Sequence, residues 1–167
     1  MGVTPELASA AGFRFVVPVT LTAEHIDTQG HLNNAAVARI LNDLRVAYVG
    51  AGPGSGWGEY LAVESPRRVV VVRELHIAYD REATIADVLV GCVRVSARRG
   101  KAKIIEQRIV DTARDAVVAR AWVVQLHVVD GMVVEFPDFY WDAIAVAEGR
   151  VIPREPRRGP APWGPPS

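Results

Sequence analysis

The sequence predicts an α+β fold in which one long apolar helix lies against a strongly curved antiparallel sheet, and three features predict it. Between Asn33 and Val49 apolar residues recur at spacings of three and four, the period of a helix face. From Val69 to Phe136 alternating or β-branched runs follow one another, separated by turn residues, the pattern of successive strands. One run, Val117 to Val129, holds about 13 residues, and at about 3.4 Å each it exceeds about 40 Å. A strand that long must bend, and a bent sheet needs something to wrap.

Residues 1–12, with Pro5 and Gly12, read as an arm. FRFVVPVTL, Phe13 to Leu21, reads as a strand, and Pro18 places it at a sheet edge because proline cannot donate to a ladder. Asn33 and Asn34 are good N-cap types, so the helix begins there. Val37, Ile40, Leu41, Leu44 and Tyr48 form its stripe, which Ala36, Ala38, Val46 and Ala47 widen. Arg39, Asn42, Asp43 and Arg45 are left as a polar minority, so the helix is buried on most sides. It stops at Gly50, and AGPGSGWGEY reads as a glycine-rich loop anchored by Trp57 and Tyr60. The loop lacks the lysine and the spacing of a phosphate loop.

Val69 to Val72 and then Leu75, Ile77 and Tyr79 predict a strand with one buried face. Leu89 to Val95 continues the sheet, ARRGK makes a hairpin turn, and Ile104 to Val110 pairs back. After TARDA comes the long run, and Asp130-Gly131 is a hairpin signal leading to Met132–Phe136. A short helix over about 139–147 closes the domain. The order is one strand, one buried helix, then four or five antiparallel strands. The predicted organisation is an arm (1–12), a single domain (13–148), and a Pro/Arg/Gly-rich disordered tail (149–167).

At 167 residues the prior is one domain. Lys plus Arg equals Asp plus Glu, 19 of each, which gives no support for nucleic-acid binding. No stretch reaches the roughly 18 apolar residues of a membrane span, and the first twenty residues do not read as a secretory signal. Cys92 is the only cysteine, which excludes an intrachain disulfide and a thiolate-rich metal cage and makes the cytosol the default compartment. Lying in VLVGCVRV, it reads as a buried strand residue. His76 and His127 read as structural.

Chemistry concentrates at the helix start. Asp27, Gly30, His31, Asn33 and Asn34 bring a carboxylate, an imidazole, two amides and a flexible backbone point together within eight positions. N–H groups at a helix start carry partial positive charge and can stabilise an oxyanion. Asp27 by itself would be a turn residue, and His31 by itself a turn-shaping one; the combination favours catalysis. His25, Asp27 and His31 match no usual zinc spacing, so no metal is expected. Asp43 is a minor candidate, explained more simply by an ion pair with Arg39 four residues earlier.

HIDTQGHLNNAAVARILNDLRVAY resembles the opening motif of hotdog-fold acyl-CoA thioesterases of the 4-hydroxybenzoyl-CoA thioesterase-like family, where an Asp precedes a Gly-His-hydrophobic-Asn-Asn segment and a central helix. VVVVRELHIAYDREATIADVLVGCVRVSARRGKAKIIEQRIVD is similar to that family's sheet with its Arg-Gly-Lys hairpin, and the resemblance covers about residues 13–136. It implies a thioester hydrolase with Asp27 as general base or as nucleophile forming a mixed anhydride. Gly30, His31, Asn33 and Asn34 match the turn that admits the thioester, with N–H groups near the two asparagines as oxyanion hole. It also implies an acyl-CoA or acyl-carrier substrate, no cofactor beyond the coenzyme A of that substrate, and a homodimer or homotetramer with shared sites. Arg98, Arg99, Lys101 and Lys103 are then candidates for the coenzyme A phosphates. Family members often carry aromatic residues on the early helix, where Val37, Ile40 and Leu41 stand here, so an aliphatic acyl pocket is expected, suiting a fatty or branched chain. Ile85-Ala86-Asp87 lacks the usual Gly before Asp. Two other readings remain open at this level: a hydratase or dehydratase on the same fold, and a non-catalytic acyl-thioester-binding protein.

Overall fold

A computed structural model of the protein describes residues 6–156. The first five residues of the expected arm, and 157–167 of the expected tail, lie outside the described residues. The chain is α+β. Its strands are β1 (Phe15–Val19), β2 (Arg68–Tyr79), β3 (Leu89–Arg99), β4 (Ala102–Asp111), β5 (Ala116–Val129), β6 (Met132–Val134) and β7 (Arg154–Glu155). The helices are α1 (Asn34–Ala51), α2 (Gly54–Leu61) and α3 (Asp138–Glu148). The sheet order is β1-β3-β4-β5-β2, with β6 on β5 and β7 on β3. A long helix between the first two strands of such an antiparallel sheet is the hotdog arrangement. β1 runs antiparallel to β3, with Phe15 opposite Val93 and Val19 opposite Leu89, so Pro18 does sit on an outer strand.

Within the predicted single domain the described chain forms two compact units. The first comprises the residues up to Tyr48 with Ile77–Arg94 and Gln107–Ala121. Here Val37, Ile40, Leu41, Leu44 and Tyr48 of α1 are buried. The helix approaches β3 closely at Gly91, where a larger residue would displace the Leu44 side chain. An added Cβ there would lie 2.3 Å from Leu44 Cδ1. Arg45, read as part of the exposed minority, is instead buried and donates to Gln107 Oε1 at 2.7 Å, while Gln107 Nε2 donates to the Leu41 carbonyl at 2.8 Å. Burial holds the Arg45 guanidinium below its ordinary value. A buried charge is tolerated only with such a partner. Leu7, Ala10, Phe13, Val90, Cys92 and Val110 form a second apolar cluster, which fixes Cys92 as a strand core residue.

The second unit comprises Val49–His76, Val95–Glu106 and the residues from Trp122 on. The glycine-rich segment expected to be a loop is helix α2. Three glycines argue against a helix, but Trp57 is buried and packs on Tyr140 (4.2 Å between ring centroids), His127 (5.6 Å) and Phe136 (5.9 Å). That burial outweighs the local propensity. α3 follows prediction, ending at Gly149 in the left-handed region, with Tyr140, Trp141 and Ile144 buried. The beginning of the expected tail is ordered, since Arg154 and Glu155 pair in parallel with Arg98 and Arg99. β2 corrects the expected buried face: Val71, Val72 and Leu75 are exposed, as is Tyr79 in the first unit.

Candidate active site at the start of the long helix

The turn before α1 is built by its own hydrogen bonds. Asp27 Oδ1 accepts the N–H groups of Gln29 (2.9 Å) and His31 (3.1 Å), the Asp27 N–H donates to the His31 carbonyl at 2.8 Å, and the Gly30 N–H donates to the Asp27 carbonyl at 3.1 Å. Gly30 has φ +85°, a left-handed conformation that favours glycine at this position. Leu32 N–H donates to the Ala83 carbonyl at 2.7 Å, pinning the turn to the segment after β2.

The five N–H groups from Asn33 to Val37 at the helix opening have separate fates. Asn33 N–H donates to the His25 carbonyl at 2.8 Å, Ala35 N–H to Asn33 Oδ1 at 2.7 Å, and Val37 N–H to the Asn33 carbonyl at 3.0 Å. The N–H groups of Asn34 and Ala36 have no acceptor among the described residues. This corrects the expectation for Asn33: its amide is spent on His25 and its side chain caps the helix, so the unspent donors are those of Asn34 and Ala36.

Asn34 stands at a cavity of about 630 Å³ walled also by Leu32, Val37, Tyr79, Arg81 and Glu82, among others, while Ala36 is not one of its walls. Its volume lies within the roughly 300–1,000 Å³ of small-molecule sites. Asp27 is not one of its walls. Asp27 is half-buried, and its Oδ2 has no hydrogen-bond partner among the described residues. His31 Nε2 lies 3.5 Å from Glu82 Oε2, so the turn reaches the cavity through that carboxylate. Glu82 carried no sequence signal, being fifty-one positions from His31 in an ordinary loop. Behind the cavity Asp87 accepts from Thr84 N–H (2.7 Å) and Arg114 (2.8 Å), which together hold its carboxyl below the ordinary range. The turn that lacks the usual glycine is thus closed by Asp87 itself.

The remaining expected binding residues divide. Val37 lines the cavity, but Leu41 is fully buried in the core and is no pocket wall. Ile40 and Asp43 line a separate groove with His25 and β1, and no Arg39–Asp43 ion pair forms among the described residues. At the hairpin, Lys103 points inward: it is 1% exposed and donates to the Tyr140 hydroxyl, which corrects its assignment to coenzyme A. Arg99 is paired with Glu155 at 2.7 Å, Lys101 donates to the Val133 carbonyl at 2.9 Å, and Arg98 stacks on Trp141 at 4.1 Å. None of these three is idle, so phosphate binding there would compete with existing contacts. Among the described residues no group of three His, Cys, Asp or Glu side chains could hold a metal, and no helix is long and apolar enough to cross a membrane.

Residues 21–144 match the profile of the thioesterase-like superfamily. None of the curated proteins compared matches the chain. Among solved structures, a Thermus thermophilus thioesterase complexed with coenzyme A and Zn superimposes with a TM-score of 0.71 at 21% identity, covering 84% of this chain and 98% of that one. A hypothetical protein from Staphylococcus aureus in complex with CoA gives 0.69 at 19% identity, covering 81% and 84%. The 12:0-ACP thioesterase of Umbellularia californica gives 0.68 at 16%, covering 80% and 53%.

Proposed function

Because the chain belongs to the thioesterase-like superfamily, and is on that ground a thioester hydrolase, we propose that it hydrolyses an aliphatic acyl thioester of coenzyme A or of an acyl carrier at the cavity beside Asn34. The observation that carries this reading is the unspent amide of Asn34, the residue that opens α1 and walls a cavity of substrate size, with the unspent amide of Ala36 in the same helical turn. The thioester carbonyl oxygen accepts from them, and they strengthen their hold as negative charge develops. A water attacks the carbonyl carbon and gives its proton to the carboxylate of Asp27 through Oδ2; the C–S bond then breaks and the thiolate leaves to be protonated by solvent. Direct attack by Asp27, giving an anhydride that water then opens, uses the same atoms. Leu32, Val37 and Val118 supply an apolar wall for the acyl chain.

A second assignment of the base has its own support. Glu82 lines the cavity and faces His31, so Glu82 with His31 can take the proton in place of Asp27. The test is thiol release from acyl-CoA and acyl-carrier thioesters of graded chain length by the wild type, Asp27→Asn and Glu82→Gln. Loss of two or more orders of magnitude in kcat for Asp27→Asn alone supports the first assignment, and the same loss for Glu82→Gln alone supports the second. Wild-type protein that binds acyl-CoA yet releases no thiol contradicts both. The reading includes self-association, supported by the exposed apolar residues Val71, Val72, Leu75 and Tyr79 on outer strand β2. A monomeric mass by light scattering at micromolar concentration would refute that part.

A further inference from the structure

The charged walls of the cavity can be paired off against one another. Asp80 accepts from Arg120 through two contacts of 2.8 Å. Arg114 is shared between Asp87, at 2.8 Å, and Asp111. Glu82 faces His31 Nε2 at 3.5 Å. Arg81 remains. Its backbone N–H donates to the Val118 carbonyl at 3.2 Å, but its guanidinium has no hydrogen bond or ion pair among the described residues. The same cavity is lined by Tyr79, whose hydroxyl donates to the Asn34 carbonyl at 3.4 Å, so Arg81 and Asn34 are walls of one space.

A guanidinium presents a planar fork of donors that fits carboxylate or phosphate oxygens. Resting on the thioesterase reading, we propose that this cavity selects thioesters carrying an anionic group, a carboxylate or a phosphate, which Arg81 receives while the thioester carbonyl sits at Asn34. The apolar walls accept only the part of the substrate between those two points.

The test compares butyryl and succinyl thioesters of coenzyme A and of N-acetylcysteamine, which has no phosphate, with wild type, Arg81→Gln and Arg81→Lys. If the anion is an acyl carboxylate, succinyl is preferred over butyryl on both thiols. Arg81→Gln then lowers kcat/KM for succinyl thioesters roughly tenfold, and Arg81→Lys recovers part. If the anion is a coenzyme A phosphate, the roughly tenfold loss falls on both coenzyme A thioesters and spares both N-acetylcysteamine thioesters. Values for Arg81→Gln within about twofold of wild type on all four would overturn the proposal and leave thioester hydrolysis intact. Should wild type hydrolyse none of the four, nor any thioester of the graded chain-length series, the thioesterase reading itself fails. Calorimetric binding of succinyl-CoA and of butyryl-CoA to wild type and Arg81→Gln then decides the Arg81 assignment: a tenfold weaker Kd for either supports it, and unchanged values overturn it.

Discussion

Gly91→Ala measures how closely α1 is pressed onto β3. The new methyl would lie 2.3 and 2.4 Å from the two δ carbons of Leu44 and 2.9 Å from its γ carbon. Carbon atoms in contact stand about 3.5–4.0 Å apart, so the side chain must move by about 1 Å or more. Leu44 is 5% exposed and packed on its own helix face, which leaves little room for a new rotamer. Overpacking of this kind costs about 1–3 kcal/mol. Replacing glycine also restricts the unfolded chain, which returns about 0.4–1 kcal/mol. The net loss is about 0–2.6 kcal/mol, centred near 1.3, or roughly 3–5 °C in Tm at that centre for a chain of this size. Urea unfolding should show a lower midpoint with an unchanged slope. Leu44→Ala alone should cost about 2–5 kcal/mol, and the double variant should cost less than the sum, because the methyl enters space the leucine vacated. An unchanged or raised midpoint for Gly91→Ala, with additive double-variant values, would refute the close helix–sheet approach.

Two further outcomes concern side chains whose place is unlike their first appearance. Lys103 is surrounded by Phe136 and Tyr140, with its ammonium 5.0 and 4.8 Å from the ring centroids. Lys103→Ala should therefore lower stability by about 2–5 kcal/mol through the cavity it leaves and leave the KM for acyl-CoA unchanged well below the new Tm; a raised KM at full stability would restore it as a coenzyme A ligand. Burial pushes the Cys92 thiol up from near 9 to about 11. Between these values the unfolded chain has lost the thiol proton that the folded chain keeps, so stability falls as pH rises, at up to about 1.4 kcal/mol per unit. Urea unfolding of wild type against Cys92→Val from pH 8 to 11 should show this difference, and parallel curves would contradict it.

Local patterns exposed the frame of the fold. The stripe from Val37 to Tyr48 marked α1 because its period is that of a helix, and Pro18 marked an outer strand because proline cannot donate. α2 was hidden because Gly54, Gly56 and Gly58 oppose a helix locally, while the force that makes one is the burial of Trp57 among rings distant in sequence. The alternation in β2 was legible, but alternation does not say whether the apolar face meets its own chain or water. Lys103 was misplaced because both faces of β4 are buried at its position, so strand parity carries no information there. At the candidate site the residue types were visible in DTQGHLNN. Which amides remain unspent depends on where Asn33 sends its side chain and on which carbonyl meets its N–H. The Glu82–His31 and Arg81 placements depend on the segment after β2 folding back beside the turn.

The most direct measurement removes one donor from the helix opening together with the Asn34 side chain, and Asn34→Ala, which keeps the donor, is its control. Asn34 is the first residue of α1, a position where proline is well tolerated because the missing N–H has no helical partner. Asn34→Pro should therefore keep the Tm within a few degrees and lower kcat for thiol release by about two to three orders of magnitude, with KM little changed. Full thiol-release activity in a folded Asn34→Pro protein would contradict the assignment of that amide to the developing oxyanion.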